Sequence, residues 1–481
     1  MNVLFTRGYS NHFGIILLLS SIFAGLVGLS LIILVDNLGL PAYYPPLVIT
    51  GLFLAVAIMH WPWLGIYLAL LTAPIETGLV YVAGFGMYAF QPIVMLTATA
   101  VLIRSLLGSG KILVPREMWP VIGLWLTYVL SAFFAIDMET TLGGIVYFIP
   151  LLASCWVFAK EVHTIAHLER IVAGVIWVGV ILALLGLMQL VLYHAGFTIA
   201  FGPRHANFLR LYGRPSGLQG EPNWFGIYAG MILAIALPLW MRKQSISRNP
   251  VIMVVVIMIL SMAVLVSGTR SAWMGLLVAG GLYLLFGKVH LQRKIAILLG
   301  AGMLLGAILL ALAIIAPQTL EPLNRLRYLF DTSEVNSRVR TNTWSQSFKY
   351  IRLHPIKGYG LSAWEVISPQ VRENTGIVVI DGKSVPNIFL ENWLSAGLPG
   401  LLFTVIFCAY YLFNLWDLSR RRNNYRLSVY LEGILGGLIM VLVASLFTNA
   451  FKHNWFWMLI ALAISALRLA AQDKYRLGQT S

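Results

Sequence analysis

Apolar runs of helical length, separated by short polar segments, occupy most of the chain. An α-helix needs about 20 mostly apolar residues to cross a bilayer, so the runs predict about 12–14 spanning helices. The number of spans is given as a range because only three residues, His60, Trp61 and Pro62, separate the second apolar run from the third. The predicted spans are 13–35, 45–61, 63–83, 88–107, 118–136, 142–159, 168–193, 224–241, 251–268, 271–287, 294–316, 396–416, 428–447 and 453–471. We expect an all-α, polytopic transmembrane bundle.

The longest polar segment, 317–395, is predicted to be a partly helical external loop. Within it, Val339, Trp344, Phe348 and Ile351 follow a helical period, and His354-Pro355 would end that helix. We divide the chain into N-terminal helices (1–193), helices with a first basic external loop (194–316), the large external loop (317–395), and C-terminal helices with a cytoplasmic tail (396–481).

Composition supports a membrane protein and excludes most soluble classes. Hydrophobic residues make up 59% of the chain and charged residues 11%, against about 25% charged residues in soluble proteins. The net charge of +15 would suggest nucleic acid in a soluble protein. Here Lys and Arg concentrate in alternate loops, which predicts cytoplasmic termini and no nucleic-acid partner. We interpret Gly14 to Val35 as a span rather than a removable signal peptide, and expect no disulfide from Cys155 and Cys408.

Arginines in the predicted external segments are not explained by orientation. Arg214 lies in a turn rich in Gly and Pro before a helix, where backbone amides could receive an anion. Arg270 lies close to the membrane surface, where it is either functional or reaches the headgroups. Arg338 and Arg340 lie on the predicted helix of the large loop, and their alternative role is to form part of a solvent-exposed face. Such arginines could converge on a diphosphate.

Other polar residues are candidates for chemistry, each with a structural alternative. His354 could simply terminate a helix, and Glu221 with Asn223 could form a helix cap. Asn387 and Glu391 are four residues apart at the mouth of a span, on one helical face. The carboxylate could merely complement the helix dipole. The chain has no Asp-x-Asp, HExxH or clustered His or Cys, and no phosphate-binding loop, so we expect no metal and no cofactor.

Four segments occur in one order: RPSGLQGEPNWFGIYAGMILAIALPL, LVSGTRSAWMGLLVAG, RTNTWSQSFKYIRLHPIKGYG and PNIFLENWLSAGLPGLL. Together, over about residues 210–405, they resemble the O-antigen ligase and O-antigen polymerase family of bacterial membrane glycosyltransferases. The resemblance implies a donor glycan on undecaprenyl diphosphate and transfer to an acceptor hydroxyl at the outer face of the cytoplasmic membrane, without metal. The acceptor would be a lipid-linked core sugar in a ligase, or a growing repeat unit in a polymerase. Membrane lipids and a chain-length regulator are the other expected partners.

The resemblance places the family's diphosphate-binding arginines on Arg214 and Arg270. Family ligases resemble HN-x9-GxxG at the end of the loop; here Asn387 and the pair Gly397 and Gly400 fit this pattern, but Pro386 replaces the histidine. Proline cannot accept a proton, which favours a polymerase over a ligase.

A base would accelerate transfer, and our order of replacements for the missing histidine is Glu391, His354, Glu221. Positioning alone is the alternative. Asn387 and Asn223 are expected to bind the acceptor. The rival functions are a lipid-linked glycan carrier or flippase and a solute transporter, although transporters more often show inverted repeats.

Overall fold

The computed structural model describes residues 44–76, 80–82, 85–108, 114–199, 207–209, 213–244, 249–287, 335–380, 382, 384–421 and 425–478, with isolated positions 292, 294, 295, 302 and 306. The predicted spans 13–35 and, apart from isolated positions, 294–316 lie outside these residues. The other predicted spans each contain a helix.

Helices account for almost all of the regular structure in the described residues. They are α1 (Tyr44–His60), α2 (Pro62–Thr72), α3 (Phe90–Gly108), α4 (Trp119–Ser131), α5 (Met138–Glu161), α6 (Ile165–His194), α7 (Pro222–Met241), α8 (Pro250–Val266), α9 (Arg270–Phe286), α10 (Val335–Leu353), α11 (Trp364–Thr375), α12 (Ile388–Arg421), α13 (Tyr425–Ala444) and α14 (Asn454–Gly478). Short 3-10 turns occupy Arg116–Met118, Ala132–Phe134 and Ala450–Lys452. Strands β1 (Val80–Val82) and β2 (Phe85–Met87) form one antiparallel hairpin.

The expected class, an all-α polytopic bundle, is confirmed. In the described part, 8 helices are long and apolar enough to span a membrane, and α2, α8, α9 and part of α1 are shorter apolar helices. The prediction of a span over 63–83 was wrong in its second half. There α2 ends at Thr72 and β1 begins at Val80, because Pro74 disfavours helix at the residue before it.

Helices α7, α13 and α14 form the centre of the bundle, since 78–89% of their apolar windows are buried. Small residues let the helix backbones approach closely, as is usual between membrane helices. A side chain at Gly275 of α9 would place its Cβ 2.4 Å from the Met440 carbonyl oxygen of α13. The centre is therefore closely packed protein.

The external loop forms a small folded unit at one end of the bundle. As predicted, α10 ends at Leu353, just before His354-Pro355. The unit has its own apolar core, made by Ile351, Tyr359, Ala363, Trp364, Ile367, Val371, Val379, Val385 and Leu394. The Trp364 indole N–H donates to the Ile380 carbonyl 3.0 Å away. We call this end, where α7, α9, α12 and α14 begin, the loop end.

Candidate functional site

Arg214 is anchored between the turn that precedes α7 and the junction of α8 and α9. Its Nε donates to the Ser267 carbonyl at 2.7 Å, and its terminal nitrogen donates to Asn223 Oδ1 at 3.0 Å and Thr269 Oγ1 at 3.4 Å. Only 5% of the residue is exposed. Two residues predicted for different roles, Arg214 for the diphosphate and Asn223 for the acceptor, are thus direct partners.

Arg270 connects the same junction to the external loop. It is the first residue of α9, and its guanidinium donates to Ser337 Oγ of α10 at 3.3 Å. Arg338 and Arg340 follow on the first two turns of α10, where Arg338 is exposed and Arg340 half-buried. The start of α10 therefore brings three of the four predicted arginines to one region, and Thr269 joins that region to Arg214.

Helix α10 connects Arg270, at its first turn, with the start of α12. Trp344 donates its indole N–H to the Pro386 carbonyl at 3.3 Å, and its ring lies 6.2 Å from that of Phe447. Ser337 and Trp344 are seven residues apart, which is two turns, or about 10 Å, on one face of the helix. The arginines and the Asn387 segment therefore lie at the same end of the bundle.

Asn387 caps α12. Its Oδ1 accepts from the backbone N–H groups of Phe389 at 2.9 Å and Leu390 at 3.1 Å, and its Nδ2 donates to the Leu446 carbonyl at 3.0 Å. These bonds fix the angle at which the chain enters α12. Its expected contact with an acceptor stays a prediction.

Glu391 is held inside the protein. One carboxylate oxygen accepts from the Val385 N–H at 2.7 Å, and the other accepts from Ser395 Oγ at 3.4 Å. The same second oxygen lies 3.7 Å from the Lys452 ammonium group, which also donates to Ser362 Oγ at 3.1 Å. These contacts fasten the chain on both sides of Pro386. The assignment of Glu391 as the base stays a prediction.

The glycines of the family pattern have a structural role at a kink in α12. Gly397 has φ +63°, a left-handed conformation that favours glycine. A Cβ there would lie 1.9 Å from the Ile356 carbonyl oxygen. The next residue, Leu398, donates its N–H to the Pro355 carbonyl at 2.9 Å. The kink thus holds the segment that follows α10 against α12.

The two other predicted bases lie in different surroundings. His354 is exposed and contacts the Tyr359 ring at 5.1 Å. It follows the far end of α10, whose 19 residues span about 28 Å, so it is distant from Arg270. Glu221 is the N-cap residue of α7, but its side chain makes no capping hydrogen bond. Within the described ranges, no group of His, Cys, Asp and Glu side chains could hold a metal ion.

Sequence reasoning missed a polar pair at the loop end. His453, which precedes α14, bonds through Nδ1 to Oε1 of Glu76, which follows α2. The His453 ring also lies 3.7 Å from the Trp224 ring of α7. These partners are 377 positions apart, so spacing could not pair them. The polar sequence KHN at the mouth of the last span was the available signal.

Part of this region matches a known protein family. Residues 253–405 match the family model described as O-antigen ligase. The matched segment includes Arg270, the external loop and the start of α12, whereas Arg214 and Glu221 precede it. No curated protein matches the chain. The match confirms the resemblance for the three segments that lie within 253–405, whereas the first segment precedes it.

Proposed function

We propose that this multi-pass membrane protein is a glycosyltransferase of bacterial surface polysaccharide assembly, in the cytoplasmic (inner) membrane with its site facing the periplasm. It would move a glycan from undecaprenyl diphosphate to a sugar hydroxyl of an acceptor glycan or glycolipid. The family match supports a transferase of the O-antigen ligase and polymerase type. The observation that carries the proposal is that Arg270 and the start of α12 lie at one end of the bundle, joined by α10.

The arginines suit the leaving group of this reaction. The acceptor oxygen attacks the anomeric carbon, the bond from that carbon to the phosphate oxygen breaks, and the electron pair leaves with the diphosphate. Fixed positive groups can neutralise the charge that develops there without a metal. Arg270 also begins α9, so the helix dipole adds to its charge. Arg338 and Arg340 would contact the diphosphate from the loop side.

Polymerase is favoured over ligase because of Pro386. Its carbonyl already accepts from Trp344, and its ring nitrogen carries no proton to exchange. A ligase mechanism that uses a histidine at this position cannot operate here unchanged. Glu391, His354 and Glu221 are the proposed replacements, while Asn387 and Asn223 would bind the acceptor. A chain-length regulator is a proposed partner of a polymerase.

A carrier of lipid-linked glycans is the rival function. It would need a polar path along several helices, across the bilayer. The close contact of α9 with α13 and the burial of α7, α13 and α14 leave the described centre closely packed. This packing supports chemistry at the loop end over transport through the bundle.

The test uses purified protein in lipid, without metal ions and with an undecaprenyl-diphosphate oligosaccharide. Glycan length and release of the lipid diphosphate are followed for the wild type, Arg270→Ala and a matched control, Arg372→Ala on α11. Elongation by the wild type and the control only would support a polymerase. Transfer that requires a core-type acceptor would support a ligase. No turnover with either acceptor would contradict the proposal.

A further inference from the structure

We infer that His453 is the general base of the proposed reaction and that Glu76 orients it. The inference rests on the proposed function and names a residue for its missing proton acceptor. A histidine is absent from position 386, yet the fold brings another one to the same end of the bundle. The connection runs from Val385 through Glu391 to Lys452, the residue before His453.

The hydrogen bonds of His453 match those of a base. Nδ1 bonds to the Glu76 carboxylate. Because a carboxylate accepts hydrogen bonds, we assign the proton to Nδ1 and the lone pair to Nε2. Among the described residues, Nε2 has no hydrogen-bond partner of its own. About 12% of the His453 side chain is exposed. An imidazole with a carboxylate behind one nitrogen and the other nitrogen available is the arrangement by which many enzymes accept a proton.

Aromatic rings hold the imidazole in place. Its centroid lies 3.7 Å from that of Trp224 and 5.5 Å from that of Trp455, whose plane is tilted by 23° from it. The two indole rings and the Glu76 carboxylate therefore fix the position of the imidazole plane.

The ring is also connected to the diphosphate side of the site. Trp224 follows Asn223, which bonds Arg214, and the Glu76 N–H donates to the Leu218 carbonyl at 3.1 Å. Both links lead to the segment before α7 that carries Arg214. The base and this arginine are therefore both connected to the start of α7.

The step balances without a further reactant. Nε2 takes the proton of the acceptor hydroxyl as its oxygen bonds to the anomeric carbon. The bond from that carbon to the phosphate oxygen breaks, and the diphosphate leaves with the electron pair. The imidazolium then returns the proton to water or to the departing diphosphate. The charged residues on the segments that contact the ring are Glu76, the neighbouring Lys452 with its partner Glu391, and Glu221, the N-cap residue of α7.

The test compares His453→Asn with Glu76→Gln. Asparagine keeps an N–H near the Nδ1 position and has no group at Nε2, so it preserves the link to Glu76 and removes the base. We expect turnover to fall by about 10²–10⁴-fold, with thermal stability and donor binding retained. His163→Asn, at an exposed histidine between α5 and α6, is the matched control and should keep wild-type turnover.

Glu76→Gln keeps a partner for Nδ1 but removes its charge. If His453 is the base, Glu76→Gln lowers kcat and leaves the KM for the donor unchanged, because the base loses the carboxylate that orients it. A purely structural pair would change thermal stability and leave the kcat of the folded protein unchanged. This variant decides the question even if His453→Asn fails to fold. Wild-type turnover together with an active His453→Asn, or with a Glu76→Gln protein of unchanged kcat, would overturn this inference alone. A wild type without turnover would overturn the proposed function and the inference with it.

Discussion

Replacing either partner of the Glu391–Lys452 pair distinguishes a structural carboxylate from a catalytic one. The two charges are 3.7 Å apart, where the attraction is about 4 kcal/mol at an effective dielectric of about 20. The Glu391 side chain is 3% exposed and that of Lys452 20%, so water can replace part of the lysine's contribution. We therefore expect Lys452→Met to lower the free energy of unfolding by about 2–3 kcal/mol.

Glu391→Gln should have a smaller effect on stability. The amide oxygen can still accept from the Val385 N–H, so the loss is mainly the attraction to Lys452, about 1–2 kcal/mol. Because both substitutions remove one interaction, the double variant should be more stable than the sum of the single effects predicts, by about 1–2 kcal/mol. The measurement is unfolding in lipid–detergent micelles, with the exposed Lys349→Met of α10 as a control that should change little.

Turnover separates the two roles of Glu391. If His453 takes the proton, Glu391→Gln retains most of its turnover, and any loss follows the loss of stability. A loss of about 10²-fold or more in a Glu391→Gln protein of unchanged stability would refute this reasoning and identify Glu391 as the base. Strictly additive stability effects would show that the ion pair does not contribute to folding.

Two further substitutions test the packing of the bundle and of the site. Gly275→Ala should destabilise the protein by about 1–3 kcal/mol, because its Cβ would meet the Met440 carbonyl. Gly281→Ala on the same helix is the control: its Cβ meets nothing within 4 Å, so it should be neutral or stabilising in the same unfolding assay. Equal effects of the two substitutions would contradict the close contact. Arg214→Lys should lower the free energy of unfolding by about 1–3 kcal/mol and reduce donor binding. The reason is that an ammonium group cannot bond both Ser267 and Asn223 as the guanidinium does. If the Arg214→Lys protein bound the donor as the wild type does, Arg214 would not belong to the site.

Most helices could be predicted from the sequence because a membrane helix must be apolar along its whole length and must satisfy its own backbone. The start of α12 shows where this rule stops. The predicted span begins at 396, but the helix begins at Ile388. Its first turns carry Glu391, Asn392 and Ser395, which are buried by protein. The Tyr128 hydroxyl, for example, donates to Asn392 Oδ1 at 2.5 Å. Hydropathy cannot distinguish such a helix start from a loop.

A residue of the candidate site could be predicted only where its charge was unusual for the apolar sequence around it. Arg270 stood out because an arginine near the membrane surface requires a partner, and the structure supplies Ser337. The pairing of Glu76 with His453 could not be predicted, because the two residues are 377 positions apart and no sequence spacing relates them. Only the fold, which brings the end of α2 to the start of α14, makes them neighbours.

The way the polar groups are anchored favours transfer at a fixed site. Arg214 is bonded to the Ser267 carbonyl, α12 begins with a bond from the Ile388 N–H to the Ser445 carbonyl, and α10 is tied to the Pro386 carbonyl through Trp344. Each bond joins the loop or a helix start to the backbone of another element. Groups held in this way need no reorganisation when charge develops on a leaving diphosphate, which is how preorganised sites accelerate reactions. A carrier whose glycan path crossed this end of the bundle would have to break these bonds in each cycle, whereas transfer at a fixed site leaves them intact.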